Sequence, residues 1–477
     1  MIFIIFLLTT IIHVIYGLFL SSSTLSKSCG TSINQPIQIR LAFIPQGMTV
    51  SWTTILPYTN SLPIVIYGLQ PNQLTLTATG YTTTYSTSYF HNVLLQNLPA
   101  YTRYYYKISY NSPNQASANY SFVTARAPGD LTPFTVTILG DMGTANINTI
   151  VEEQNAHKND PLCSCSSQTL SALTQVSAQT DFYLHLGDAS YADDWYLNKN
   201  VLAENLLHPY EYFLNDFQCQ IQVVTANNSY MILPGNHEVT CQEIPIISDF
   251  CPKPSSNFST YLHRYRMPGN ESQGLLNLWY SYDYGSTHFI SINTETDFPG
   301  SPSGPGSSLN GGNFGSSSNT QLQWLTNDLI KANQSRQQVP WIVIGGHRPL
   351  YTSANDSICT ICQQTFESLF LKYKVDIYFS GHAHWYERML PVLYGKINQT
   401  DYNNPPVPIY ITSGAGGSPE CGLTSKYTRQ SYSAFIQNNQ CGFGQLKVIN
   451  RTNAEWKFYN VNNLETPIDQ IQIRKNH

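Results

Sequence analysis

Phe182-Tyr183-Leu184-His185-Leu186-Gly187-Asp188-Ala189-Ser190-Tyr191 is a short apolar run that breaks at a Gly-Asp pair. A run of that length with no formal charge suits a strand buried on both faces. The glycine lets the chain turn sharply, so the next side chains can face a crevice at the strand end. The same grammar recurs four times. Residues 134–139 lead into Gly140-Asp141-Met142-Gly143, and 230–233 into Pro234-Gly235-Asn236-His237-Glu238. Residues 341–344 lead into Gly345-Gly346-His347, and 375–379 into Ser380-Gly381-His382-Ala383-His384. Further apolar runs lie at 289–292 and 409–411, and helix-like segments at 148–155, 169–179, 321–332 and 363–373. Buried strands alternating with helices predict an α/β layered sandwich domain around a sheet covered on both faces.

In such sheets, ligands bind beyond the carboxyl ends of the strands. The five turns would bring two Asp, one Asn, one Tyr and several His to one place. One Gly-Asp after a strand is an ordinary turn; five such turns in order, each closing an apolar strand, point to a site. Carboxylate and phenolate oxygens favour a hard ion such as Fe(III), whereas imidazole with an amide oxygen suits Zn(II), Mn(II) or Fe(II). An aspartate can bridge two such ions about 3.5–4 Å apart. His382 and His384 would share a face if they stood on one strand.

Upstream, residues 37–41, 48–52, 64–68, 91–95, 104–110 and 120–123 read as strands between Pro/Gly turns. That spacing predicts a small all-β sandwich over residues 34–125. A linker to residue 133 follows, then the catalytic domain over 133–465. Residues 445–449 and 454–459 read as a hairpin, and the Gly/Ser-rich stretch 297–319 as a loop.

Of 477 residues only 11% are charged, and Lys+Arg number 24 against Asp+Glu 29. With net charge -5, no basic excess exists for a nucleic-acid backbone. Residues 1–20 are apolar but for Thr9, Thr10 and His13, and Ser21 to Thr24 follow. This predicts a cleaved signal peptide over 1–23, with a retained signal anchor as the alternative. Eight N-x-[ST] sequons, from Asn119 to Asn450, could carry glycans that solvate a surface so poor in charge. The ten Cys suit disulfides in an oxidising compartment better than metal or redox pairs. Cys421 with Cys441 is the pairing expected from proximity.

The five blocks together resemble the purple acid phosphatases, within the calcineurin-like metallophosphoesterases. The family pattern is GDxG, GDxxY, GNH[ED], an apolar-x-x-His segment and GHxH. Gly381-His382-Ala383-His384-Trp385-Tyr386-Glu387-Arg388 matches its extended last block, and Met48-Thr49-Val50-Ser51-Trp52 resembles its fibronectin-III-like N-terminal domain. The resemblance covers nearly the whole chain after the leader. It implies that Asp141, Tyr191 and His384 bind Fe(III). Asn236, His347 and His382 would bind a divalent ion (Zn, Mn or Fe), and Asp188 would bridge the two. His237 would face the substrate as general acid.

The implied activity is an acid phosphatase that cleaves phosphate monoesters by in-line attack of a metal-bound hydroxide. A phosphodiesterase or pyrophosphatase on the same site, or a non-catalytic binding protein, is the alternative. Expected partners are small phosphorylated molecules, with no nucleic acid and no stable membrane insertion after signal cleavage; a homodimer stays open. The expected location is outside the cell or in a vacuolar or lysosomal lumen. One departure concerns the stretch Arg348 to Asp356, which lacks the extra substrate-facing histidines of plant members. Arg348 would either touch an anionic substrate or form a structural salt bridge. His185 is expected to support the site from behind, and Glu387 with Arg388 to form a structural pair.

Overall fold

A computed structural model describes residues 35–58, 62–85, 88–110, 112–145, 165–197, 209–239, 258–296, 320–420 and 427–476. The expected signal peptide, the helix at 148–155, the loop at 297–319, Cys163 and Cys421 lie outside these residues.

The N-terminal part is a two-sheet antiparallel sandwich. One sheet runs Ile37–Ile44, Gly47–Thr54, Ser88–Leu95, Tyr81–Tyr85. The other runs Leu76–Thr79, Ile64–Gly68, Arg103–Tyr110, Ser112–Ala116, with Tyr120–Val123 also on Arg103–Tyr110. Val50, Trp52, Val65, Tyr106 and Phe122 are buried in its core. The strand 81–85 escaped the sequence reading because Tyr-Thr-Thr-Thr-Tyr has little apolar alternation; its first four residues are largely open to solvent.

The catalytic part holds two mixed sheets, where the sequence pointed to one. The first runs Tyr230–Ile232, Phe182–His185, Phe134–Leu139, Gly442–Val448, Asn453–Asn460, Asp469–Arg474. The second runs Tyr280–Tyr284, Thr287–Ser291, Trp341–Gly345, Ile377–Ser380, Ile409–Ser413, Tyr386–Met389, Ser433–Gln437. The three strands of the first sheet and the four of the second that carry the expected apolar runs are mutually parallel within each sheet. Rings lock the sheets face to face: Phe182 on Phe289 at 5.2 Å, Phe134 on Tyr284 at 4.9 Å, Phe379 on Trp456 at 4.9 Å. These are edge or tilted contacts, the favoured aromatic geometry. They account for part of the aromatic richness as packing.

Helices are α1 (Ser166–Val176), α2 (Pro209–Thr225), α3 (Ser259–Arg264), α4 (Thr320–Gln334) and α5 (Thr360–Lys372). Helix α2 buries Phe213, Phe217, Ile221 and Val224, a helical stripe. It joins the two parts: Thr225 Oγ1 donates to Ile39 O at 2.7 Å, and Gln222 Oε1 accepts from Ile39 N at 3.0 Å. Among the described residues no helix is long and apolar enough to cross a membrane.

Two expectations need correction. Cys441 pairs with Cys165, 276 residues away, and not with Cys421; Cys359 pairs with Cys362. Glu387 and Arg388 do not pair, because neighbours on a strand point to opposite faces. Glu387 instead accepts from Thr352 Oγ1, Ser353 N and Ser353 Oγ, while Arg388 binds Asp469 with Nε at 2.7 Å and Nη2 at 2.8 Å.

Candidate metal centre and active site

The chain bends hard where the site residues sit. Asp141, Asp188, Tyr191 and His382 all have positive φ, from +53° to +67°. Such backbone is costly outside glycine and persists where surroundings hold it. Glu238 supplies part of that hold. Its carboxylate accepts from the backbone N of Asp188, Ala189 and Gly235 at 2.8–2.9 Å, tying two turns together. Burial and the nearby Asp188 push its pKa up to about 7. Gly235 is required by contact: a Cβ there would lie 2.2 Å from Asp188 Oδ1. At Gly187, φ +86, a Cβ would lie 2.8 Å from His347 Nδ1.

The expected residues meet in two touching groups. In one, Tyr191 Oη donates to Asp141 Oδ1 at 3.2 Å and lies 2.9 Å from His384 Nε2, which is 3.5 Å from Asp141 Oδ1. In the other, His347 Nε2 lies 2.9 Å from Asp188 Oδ2 and 3.0 Å from Asn236 Oδ1. Ligand atoms of Asp188, His347 and His382 all fall within 4.8 Å of one another. The groups join where His382 N donates to Asp141 Oδ1 at 3.0 Å and Oδ2 at 2.9 Å. His382 and His384 lie beyond the end of strand Ile377–Ser380. Their convergence therefore comes from the turn, with φ +67° at His382, and not from strand alternation.

The donor chemistry fits cations. His347 Nδ1 faces only the carbonyl of Leu186, at 2.8 Å, so that nitrogen carries the proton. Nε2 then presents a lone pair beside Asp188 Oδ2 and Asn236 Oδ1. Asp188 Oδ2 is buried without a hydrogen-bond donor in good geometry. His384 repeats the arrangement, with Nδ1 on Glu420 O at 3.2 Å and Nε2 toward Asp141 and Tyr191. Two carboxylates and several imidazole and amide groups gathered this closely in a largely buried site favour positive charge among them. In the protein alone a proton at His347 Nε2 supplies that charge, in the place a metal ion would take. Burial lowers the pKa of His347, but Asp188 outweighs it and lifts the group to about 9. Burial raises Asp188, yet His347 and His237 hold it below the usual carboxylate range.

His237 sits beside both groups with its ring 4.2 Å from that of Tyr191. Its Nδ1 lies 2.9 Å from each Asp193 oxygen, and its Nε2 3.4 Å from Glu420 Oε1. Burial alone would lower its pKa; Asp193, Asp188 and Glu420 raise it well above the ordinary histidine value. Asp193 and Glu420 were missed by the sequence reading. Asp193 lies two residues past Tyr191, inside a motif already in view. Glu420 arrives from the segment after strand Ile409–Ser413, and nothing local to it signals the site.

Arg348 forms the structural salt bridge. Its Nε donates to both oxygens of the buried Glu295 at 3.0 Å, and its Nη1 lies 2.9 Å from His382 Nε2. His185 Nδ1 lies 2.5 Å from Tyr230 Oη, and its ring interacts with Asp188 and His347, behind the ligand groups; burial lowers its pKa to about 3. His288 is held by Asp283 and Asp328 at 2.7 and 2.9 Å, outside the site.

Residues 134–386 match the family model described as calcineurin-like phosphoesterase. Residues 36–124 match the purple acid phosphatase N-terminal domain, and 407–470 the C-terminal region of iron/zinc purple acid phosphatase-like proteins. The chain belongs to the purple acid phosphatase family of calcineurin-like phosphoesterases. It is 31% identical to an acid phosphatase of Aspergillus ficuum, over 88% of this chain and 83% of the relative. It is 32% identical to acid phosphatase A of Cryphonectria parasitica, over 90% of each. A purple acid phosphatase from yellow lupin seeds shares the fold, with TM-score 0.69 and 22% identity over 93% of this chain and 75% of that one.

Proposed function

We propose that the chain is a binuclear-metal acid phosphatase that hydrolyses phosphate monoesters. The convergence of largely buried carboxylate, phenol, amide and imidazole groups from five strand ends, with Asp188 Oδ2 left without a donor, carries this reading. Asp141, Tyr191 and His384 would hold Fe(III). Asn236, His347 and His382 would hold a divalent Zn, Mn or Fe, with Asp188 between. When bound, such a pair supplies Lewis acidity toward phosphate oxygens and a water nucleophile of lowered pKa.

The protein's own groups do the rest. His237 is the proton donor for the departing alkoxide, since three carboxylates keep it charged. Asp193 fixes the ring at Nδ1, and Nε2, which lies 3.4 Å from Glu420 Oε1, is the nitrogen that would turn its proton to the leaving group. Glu238 keeps the Asp188 and Asn236 turns in register. Arg348 is engaged by Glu295 and His382 and acts on the shape of the site. The leader, sequons and disulfides support delivery to the cell exterior or an acidic lumen.

Steady-state rates on p-nitrophenyl phosphate and on its bis-ester, with metal analysis and a visible spectrum, test the reading. A monoester preference, two metals per chain and a purple band abolished by Tyr191→Phe are expected. A strong diester preference would overturn the substrate class, and a colourless enzyme with two Zn(II) the Fe(III) assignment.

A further inference from the structure

The parallel strands Trp341–Gly345, Ile377–Ser380 and Ile409–Ser413 have two ends. Two of them lead, at their carboxyl ends, into the turns that carry His347 and His382–His384. At the opposite ends Trp341, Asp376 and Ile409 line a groove of about 1050 Å³. Five residues of strand span roughly 17 Å, so the groove and the metal centre face away from each other.

The groove's charge is unlike the rest of the chain. Among the described residues, Arg336, Lys374, Arg451, Arg474 and Lys475 line it against one side-chain carboxylate, Asp376. These are five of only 24 Lys+Arg, in a chain of net charge -5. Asp376 is already saturated. Its Oδ1 accepts from Lys475 Nζ at 2.7 Å, and its Oδ2 from Arg336 Nη1 and Ile342 N at 2.8 Å each. Arg336 also donates to the carbonyls of Pro340 and Tyr373 at 2.7 and 2.9 Å, and Lys475 lies 4.6 Å over the Trp341 ring. These two cations are fixed as a wall. Lys374 and Arg474 stand exposed on the rim.

An excess of four positive charges around one concavity is repulsive in itself; burial and Arg336 lower the pKa of Lys475. Pro405, Pro406 and Val407 supply an apolar lining, which focuses the field inside the groove. Cations that outnumber the carboxylates beside them favour an anionic ligand. The volume matches sites for compact small molecules.

We propose that this groove is a second anion site, separate from the metal centre, that binds a small, multiply charged phosphate- or sulfate-bearing molecule. Lys374 and Arg474 on the rim hold the anionic groups, over a positive wall formed by Arg336 and Lys475. The proposal does not depend on the catalytic reading.

Inositol hexasulfate is a suitable probe, because a phosphomonoesterase does not consume phosphate from it. Calorimetric titration would compare the holoenzyme, the Lys374→Ala/Arg474→Ala double variant and His237→Ala. Expected are one site that weakens with added salt, a loss of at least about tenfold in affinity in the double variant, and unchanged affinity in His237→Ala. The double variant should keep wild-type kcat/KM on a monoester, which also shows that it folds. No binding at about 1 mM probe, a loss of under threefold in the double variant, or a loss in His237→Ala would overturn the proposal.

Discussion

Two buried polar clusters in this molecule have opposite chemistry. Between the sandwich and the catalytic part, every principal donor of Arg264 meets an acceptor. Its Nε donates to Tyr85 Oη at 2.7 Å, Nη1 to Asn215 Oδ1 at 3.0 Å and Nη2 to Glu211 Oε2 at 2.7 Å. Gln38 Nε2 adds a second bond to Asn215 Oδ1 at 3.0 Å. At the strand ends the polar atoms are largely buried as well, but carboxylate, phenol and imidazole groups crowd together and Asp188 Oδ2 is left without a donor. In the first cluster the Arg264 charge is met within the protein, although Glu211 Oε1 has no donor, whereas the second gathers two carboxylates among imidazoles and a phenol, which added positive charge stabilises. The difference separates a fastening from a binding site without reference to any motif.

The largest expected effect is at the incomplete cluster. Asp188→Asn removes the charge that both groups share. A metal pair gives several kcal/mol of transition-state stabilisation, so kcat/KM should fall about 10³-fold or more while circular dichroism stays native. Activity within tenfold of wild type would break the contrast. At the complete cluster, Glu211→Ala strands the buried Arg264 charge. That should cost about 3–5 kcal/mol of stability, read as a lower denaturant midpoint, with kcat of the folded protein unchanged. A cost below about 1 kcal/mol would show that the cluster is not a fastening.

His237 stands at the border of the incomplete cluster, and His237→Gln sharpens where that border lies. Loss of a general acid should lower kcat about 10²-fold with metal content unchanged. Asp193, Asp194 and His237 also have ligand atoms within 4.8 Å of one another. A drop in bound metal in His237→Gln would therefore reassign His237 as a ligand.

The contrast also explains what could be read in advance. The strand-end turns were legible because each is local: an apolar run, a glycine, then a polar side chain. Strands Phe134–Leu139 and Tyr120–Val123 fall where the sequence placed them. The fastening was not legible, since Arg264, Glu211, Asn215 and Tyr85 lie on separate elements with no shared period. Glu420, the Cys165–Cys441 bridge and the Arg388–Asp469 pair fail for the same reason: each partner is set by packing over long chain separations. The second sheet was hidden because the same apolar strand serves one sheet or two.

Histidine reports the contrast at its finest. His347, among acceptors, is lifted to about 9, whereas His91 in the sandwich is lowered to about 3 by burial and by Arg40. His91 lies 2.8 Å from the hydroxyls of both Thr54 and Thr82 and stacks on Tyr58 at 4.3 Å. Hydroxyls can donate or accept, so they satisfy a neutral ring with no need of charge. The folded state thus resists a proton that the unfolded chain takes up near pH 6.5. The unfolded chain binds more protons between about pH 6.5 and 3, so stability is lost as pH falls through that window. At pH 5 the loss from this one ring is about 2 kcal/mol. His91→Gln can keep both hydroxyl partners but cannot titrate. It should flatten the stability curve between pH 7 and 5 while leaving the phosphatase rate at pH 5 unchanged. If wild type and variant lose stability in parallel over that range, His91 is not the sensitive group, and the sandwich would have to hide an acid-labile site elsewhere.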